Sequence, residues 1–272
     1  VGRRSAETDP SRPGRGSSDA TAHVVLEADA AGGVTVVVDE TPQSHVRLDD
    51  PSHLEFGYIR HLALLLGTRV PAAPAPLGVT HVGGAAMTLA RWVQHTRPGS
   101  PQIVFEPDAA LTDLVRAELP LPRGHRIRVR PVDGLAGTAA LRPESADAVV
   151  LDAYASGSVP SELTTPDYLG DVARVLRPTG VLGINLATAS GLVPRVLAGL
   201  LAIEAYVDLA VIGPREVLRG RPGNVVVAAA RDALDAGALR AAMSREPLPS
   251  EVRHGAEVAR LAGAASPAPG RR

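Results

Sequence analysis

From Val79 onward the chain alternates short apolar runs with stretches of helical periodicity. Val79–Val82, Ile103–Phe105, Ile127–Val132, Ala148–Leu151 and Val181–Leu186 are rich in Val, Ile and Leu, and are too short for buried helices. Between and after them, Ala85–His95, Ala109–Leu119, Pro166–Leu176 and Leu192–Glu204 repeat apolar positions every three to four residues. Strand and helix in alternation predict a parallel sheet with crossover helices on both faces. Tyr206–Ile212 and Asn224–Ala230 predict a closing pair of strands. Upstream the pattern changes to short β-rich runs: Val24–Ala28, Val34–Val38 and Ser44–Leu48, with Ala30-Ala31-Gly32-Gly33 between the first two, predict a small antiparallel sheet. Leu54, Tyr58, His61, Leu62, Leu65 and Leu66 then fall on one helical face, and Asp50-Pro51-Ser52 ahead of them offers a cap.

These patterns divide the chain into a tail over 1–20, a β-hairpin region over 21–50, an α/β domain over 51–245 and an extension over 246–272. The tail and the last residues are rich in Pro, Gly, Ser and Arg with little to bury, so disorder is expected there. With 272 residues and 45% hydrophobic content, one main core can form without disulfides, and cysteine is absent. Thiol chemistry is thereby excluded. The net charge of -1, with every basic side chain an arginine, supplies no excess positive field for nucleic acid or anionic lipid. A small-molecule substrate, no membrane partner and a cytoplasmic location are the expectations. No helical His-x-x-x-His pair occurs, so no metal is expected.

Ligands of open α/β sheets sit beyond the carboxyl ends of the strands. The residues there are Gly83-Gly84, Glu106, Asp133-Gly134 and Asp152. A glycine pair lets the backbone approach a ligand, Glu106 could accept from a ribose diol, and Asp133 from an adenine amino group. Asp152 is left beside the reactive end. The turn reads Gly83-Gly84-Ala85-Ala86-Met87-Thr88, without the full Gly-x-Gly-x-x-Gly of nicotinamide enzymes.

The stretch Asp152-Ala153-Tyr154-Ala155-Ser156, with Val159-Pro160-Ser161-Glu162-Leu163-Thr164-Thr165-Pro166-Asp167-Tyr168 after it, resembles the active-site loop and following helix of spermidine synthases, the polyamine aminopropyltransferases. Glu55-Phe56-Gly57-Tyr58 is similar to that family's Glu-Phe-x-Tyr motif, and His81-Val82-Gly83-Gly84, Glu106-Pro107-Asp108 and Val132-Asp133-Gly134 fall at its nucleotide-binding positions. The resemblance spans roughly Ala22 to Ala230. It implies a doubly wound, mostly parallel sheet of the class I methyltransferase-like Rossmann type behind the small antiparallel β region. It also implies a transferase that moves an aminopropyl group from decarboxylated S-adenosylmethionine to a diamine such as putrescine. Asp152 would be the acidic group nearest the amine, Gly83, Gly84, Glu106, Asp133 and Gly134 would hold the nucleotide, and Gln43, Tyr58 and Tyr154 the substrate. Homodimers are a further implication.

The chain departs from the family pattern at three places. Ala155 replaces the second Asp of the loop, Ala86 aligns with the Asp that grips the aminopropyl ammonium, and Ile59-Arg60 replaces a His-Glu pair. The expected result is a cavity with less negative charge and an added cation at Arg60. Two alternatives stay open: a methyltransferase using S-adenosylmethionine, and a catalytically degenerate binding or assembly protein.

Overall fold

The computed structural model describes residues 24–69, 71–154 and 158–267. Three strands, β1 (Val24–Ala28), β2 (Gly33–Val38) and β3 (Thr41–Arg47), form an antiparallel sheet in sequence order. A register shift between Val36 and Val37 lets β3 begin earlier than its apolar pattern predicts, at Thr41-Pro42. Pro42 is tolerated because β3 is an edge strand.

The main sheet comprises β4 (Val79–Val82), β5 (Gln102–Phe105), β6 (Ile127–Arg130), β7 (Ala146–Leu151), β8 (Leu176–Ala187), β9 (Asp208–Pro214), β10 (Asn224–Ala230) and β11 (Ser250–His254). Their order is β11-β9-β10-β8-β7-β4-β5-β6. Strands β4 to β8 run parallel, and β10 is antiparallel to both β8 and β9. This is the doubly wound, methyltransferase-like arrangement. The chain builds outward from β4 through β5 to β6, then restarts on the other side of β4 with β7, so the topological switch lies between β4 and β7. Side chains alternate across the sheet. Val149 and Leu151 of β7, with Val225 and Val227 of β10, enter one core, while Ala148, Val150, Val226 and Ala228 enter the core on the other face.

The helices are α1 (Gly57–Gly67), α2 (Thr88–Thr96), α3 (Ala109–Glu118), α4 (Gly134–Ala139), α5 (Pro166–Val175), α6 (Leu192–Leu201), α7 (Arg215–Leu218), α8 (Ala236–Met243) and α9 (Ala256–Ala262). Among the described residues no helix is long and apolar enough to cross a membrane.

Several expectations are corrected. Helix α1 starts at Gly57 rather than at the Asp50-Pro51-Ser52 cap, since Asp50 accepts from Ser52 N at 3.1 Å and closes a local turn instead. Helix α2 starts at Thr88, because Ala85 (φ 37°) and Met87 (φ 59°) are left-handed and cannot extend a right-handed helix upstream. The extension over 246–272 is not largely disordered: β11 pairs with β9, and Val258 and Ala262 of α9 are buried in the core against α6 and its neighbours. The sheet domain therefore runs past 245. The expected tail over 1–20 lies outside the described residues.

Strand β6 ends the order on one side, and Arg128 on it is exposed. The small sheet is not an appendage. Val36 and Val46 pack with Ala86, Met87, Ala90, Val104, Leu111 and Val115, so its inner face covers α2, α3 and β5.

Arg97, at the end of α2, is fully buried. Its Nη1 donates to Pro71 O (2.6 Å) and Ala75 O (3.0 Å), and its Nη2 to Leu66 O (3.2 Å) and Arg69 O (3.3 Å). One guanidinium thus satisfies four carbonyls, Leu66 O in the last turn of α1 and three of the connector to β4, in a fan that a lysine ammonium cannot reproduce. Arg97→Met should lower the unfolding free energy by about 3 kcal/mol in urea titration, the cost of stranding buried acceptors. Arg97→Lys should recover less than half of that loss.

Candidate functional site

Register places the site. Val82 of β4 lies beside Leu151 of β7 and Phe105 of β5, so Gly83, Asp152 and Glu106 leave the sheet side by side at its carboxyl edge. Gly83 takes φ 93°, and a Cβ there would lie 2.3 Å from the Asp152 carbonyl oxygen. Only glycine allows that approach. A Cβ already on Gly84 would meet Val104 Cγ1 at 2.7 Å, and one on Gly134 would meet Val82 Cγ1 at 2.5 Å.

Glu106 Oε2 accepts from Gly84 N (3.0 Å) and Ala85 N (3.1 Å), while its Oε1 accepts from Asp108 N (3.1 Å). The carboxylate pins the glycine turn and retains acceptor capacity, since two oxygens offer about four sites. Asp133 is exposed and caps α4 by accepting from Ala136 N at 2.7 Å, and Asp108 caps α3 through Leu111 N at 2.9 Å. Strand-end acids here therefore serve two purposes: capping the helices that follow, and facing the cleft.

A cavity of about 850 Å³ is lined by Gly83, Gly84, Glu106, Asp133, Gly134, Asp152, Tyr154 and Gln43 among others. Six carboxylates border it, from Asp39, Glu106, Asp108, Asp133, Asp152 and Glu162, with no arginine or histidine among the described lining residues. A smaller pocket of about 60 Å³ adjoins it and shares Gln43, Gly83, Gly84, Ala85, Asp152 and Tyr154, adding Tyr58, Ile59 and His81. All nine residues singled out from the sequence thus border one continuous cleft.

Asp152 is the most perturbed acid. Burial raises its carboxyl to about 6, opposed by hydrogen bonds from Asn185 and Tyr58 that favour the charged form. Asn185 Nδ2 donates to Asp152 Oδ1 at 2.8 Å, and Asn224 Nδ2 donates to Asn185 Oδ1 at 3.0 Å. This relay fixes the amide so that it must donate to Asp152. Burial first, and then the Asp152 charge, raise the Tyr58 hydroxyl well above its ordinary value and the Tyr154 hydroxyl to about 12. Both phenols are neutral donors. His81, buried against Gln102 Oε1 at 2.9 Å, is lowered to about 4 by desolvation and is an uncharged wall of the pocket.

Sequence reasoning missed Asn185 and Asn224. The available signal is Asn185 itself, an amide inside an otherwise apolar strand and only 1% exposed. Two departures read differently in three dimensions. Arg60 does not line either cavity: its Nε donates to Glu246 Oε2 at 2.8 Å and its Nη1 to the carbonyls of Leu54 and Glu55, both at 2.7 Å. Its charge is paired away from the cleft. Ala86 is fully buried beside the small sheet, whereas its neighbour Ala85 lines both cavities, together with Gly83 and Gly84. Ala155 lies outside the described residues.

No protein-family model matches the chain. A polyamine aminopropyltransferase of Chromobacterium violaceum is 29% identical over 148 residues, 54% of this chain and 54% of that protein, so the match spans about half the length of the curated relative. The crystal structure of a probable spermidine synthase from Corynebacterium glutamicum superposes with a TM-score of 0.83 at 26% identity, over 91% of this chain and 93% of that one. A spermidine synthase in complex with the transition-state analogue AdoDATO shares the fold, with a TM-score of 0.59 at 13% identity over 85% and 76% of the two chains.

Because the Asp152 carboxyl rises from its ordinary range to about 6, the folded state holds a proton that the unfolded chain releases between about pH 4 and 6. Ionising Asp152 therefore costs stability as pH rises through that window, and the cost is complete above about 6. Asp152→Asn should raise the unfolding free energy by about 1 to 2 kcal/mol at pH 8 and by much less at pH 4, measured by denaturant titration at both values.

Proposed function

We propose that this chain, spermidine synthase-like in sequence and in fold, is an aminopropyltransferase that takes decarboxylated S-adenosylmethionine as donor and a small amine as acceptor. The observation that supports the reading most is the sign of the cleft: six carboxylates and no arginine among its described lining residues, with His81 of the smaller pocket uncharged. Such a field favours a ligand that carries positive charge at both its sulfonium and its aminopropyl end.

The same field argues against the unmodified nucleotide. S-adenosylmethionine adds a carboxylate, which would need a cation or free backbone N–H groups. The two turn amides nearest the cleft, Gly84 N and Ala85 N, already donate to Glu106. Gly83 and Gly84 admit the ligand against the backbone, with Gly134 keeping the neighbouring wall close. Glu106 is the acceptor for the ribose diol, and Asp133 Oδ2 is the acceptor for the adenine amine, its Oδ1 being engaged in the cap of α4.

In the reaction the amine nitrogen attacks the methylene next to sulfur. A C–N bond forms, the C–S bond breaks with its electron pair going to sulfur, and the sulfonium becomes a neutral thioether. The proton shed by nitrogen is taken by Asp152, whose carboxyl near 6 suits a base working around neutrality. Tyr58 donates to that carboxylate and steers it, while Gln43 and Tyr154 line the acceptor side. Putrescine is the first acceptor to try, since a diamine leaves one ammonium to face the remaining acids.

Calorimetric titration should show decarboxylated S-adenosylmethionine binding at least ten-fold tighter than S-adenosylmethionine, and mass spectrometry of an amine panel should show an aminopropylated product. The rate should rise with pH on an acid limb near 6 and level off above it. Asp152→Asn should lower kcat by about 10²-fold or more while leaving nucleotide affinity within a few-fold. Methyl transfer from S-adenosylmethionine would establish the methyltransferase reading instead, and nucleotide binding without turnover of any amine would establish a degenerate binding protein.

A further inference from the structure

Away from the cleft, on the outer side of the small sheet, His45, His53 and Glu55 present ligand atoms that all lie within 4.8 Å of one another. They come from two segments, His45 from β3 and the other two from the connector leading into α1. His53 Nε2 and Glu55 Oε2 are 3.2 Å apart, close to the roughly 3.3 Å separation of two ligands on a tetrahedral zinc ion with bonds near 2.0 to 2.1 Å. The His45 and His53 rings meet edge-on, with centroids 5.8 Å apart.

The state of His45 points to a ligand. The side chain is 5% exposed, and its Nε2 lies 2.9 Å from Asp29 Oδ2. A carboxylate accepts, so Nε2 is the donor to Asp29, and in that tautomer of the imidazole the ligating lone pair falls on Nδ1. That Nδ1 is buried and has no hydrogen-bond partner. Asp29 is itself fixed, accepting from Ala31 N at 2.7 Å and Gly33 N at 2.9 Å. A carboxylate that orients the far nitrogen of an imidazole is the usual outer support of a histidine bound to metal. Room for the ring depends on Gly33, where a Cβ would fall 2.2 Å from His45 Nε2.

We propose that His45 Nδ1, His53 and Glu55 form a binding site for a divalent transition metal of the zinc class, with Asp29 as the outer carboxylate and solvent in the open position. His53 and Glu55 are exposed side chains, free to close the remaining distance on the fixed His45 ring. A metal there joins β3, which supplies Gln43 and Ser44 to the pocket wall, to the connector that positions Tyr58. This site is independent of the reaction proposed above, and its test needs no substrate.

Co2+ titration of the untagged full chain, followed in the visible region, should give one bound ion per chain, displaced by Zn2+. His53→Ala and Glu55→Gln should each weaken binding at least about ten-fold, whereas His95→Ala should leave it unchanged. His45 is buried, so the two exposed ligands are the decisive variants, with their folding checked by circular dichroism. Zn2+ should also raise the melting temperature of the wild type and not that of His53→Ala. Binding weaker than about 100 µM in the wild type, or binding that survives both substitutions, overturns the assignment.

Discussion

The site rests on the contact between two backbones, where Gly83 passes the carbonyl of Asp152 with no space for a side chain. Parallel pairing of β4 and β7 sets that approach, because Val82 and Leu151 are register partners at the last residues of their strands. The topological switch falls between these same two strands, so the turn after β4 and the acid after β7 diverge around a common crevice. Glu106 completes the arrangement from β5 by accepting from Gly84 N and Ala85 N. Three strand ends and one tight contact fix the turn, the carboxylate that pins it and the base candidate in a single geometry.

Electrostatics then give that geometry a preference. Asp152 is partly desolvated and would protonate near 6, yet Asn185 and Tyr58 both donate to it and keep the charged form accessible at neutral pH. Asn224 holds Asn185 in the orientation that donates. Neutral groups complete the pocket: His81 is discharged by burial, and the Tyr58 and Tyr154 hydroxyls stay protonated. With Arg60 bound to Glu246 and to two carbonyls, no cation offsets the field of the carboxylates among the described lining residues.

Much of this was legible in the sequence, because strand ends announce themselves. The apolar runs of β4, β5 and β7 stop at Gly83, Glu106 and Asp152, and a parallel sheet brings such ends to one edge whatever the details of packing. What escaped depends on contacts distant in sequence. Asn224 acts only because β10 lies against β8, a pairing that periodicity cannot specify. The destination of Arg60 depends on Glu246, 186 residues away. Helical spacing does not reveal the group of His45, His53 and Glu55, because His45 sits on a strand and His53 on a connector. Strand β11 and helix α9 were lost in a stretch whose composition is loop-like, although their apolar residues find cover against β9 and α6.

The turn after β4 shows how packing from a distant segment sustains an uncommon backbone conformation. Ala85 and Met87 occupy left-handed backbone that glycine would adopt freely, at a cost on the order of 1 kcal/mol each. That cost is offset locally: Ala85 N donates to Glu106, Ala86 N donates to Ser44 Oγ at 3.3 Å, and Met87 is 4% exposed among Val36, Val46 and Ala90. Between the two, Ala86 is sealed beneath the small sheet. A carboxylate at that position would be stripped of water, with Ser44 and Arg91 beside its backbone and the apolar cluster around it, so alanine there fits the packed seam between the two sheets. The conformation of the turn is therefore maintained by the N-terminal sheet packed on it, which makes that sheet part of the cleft's foundation.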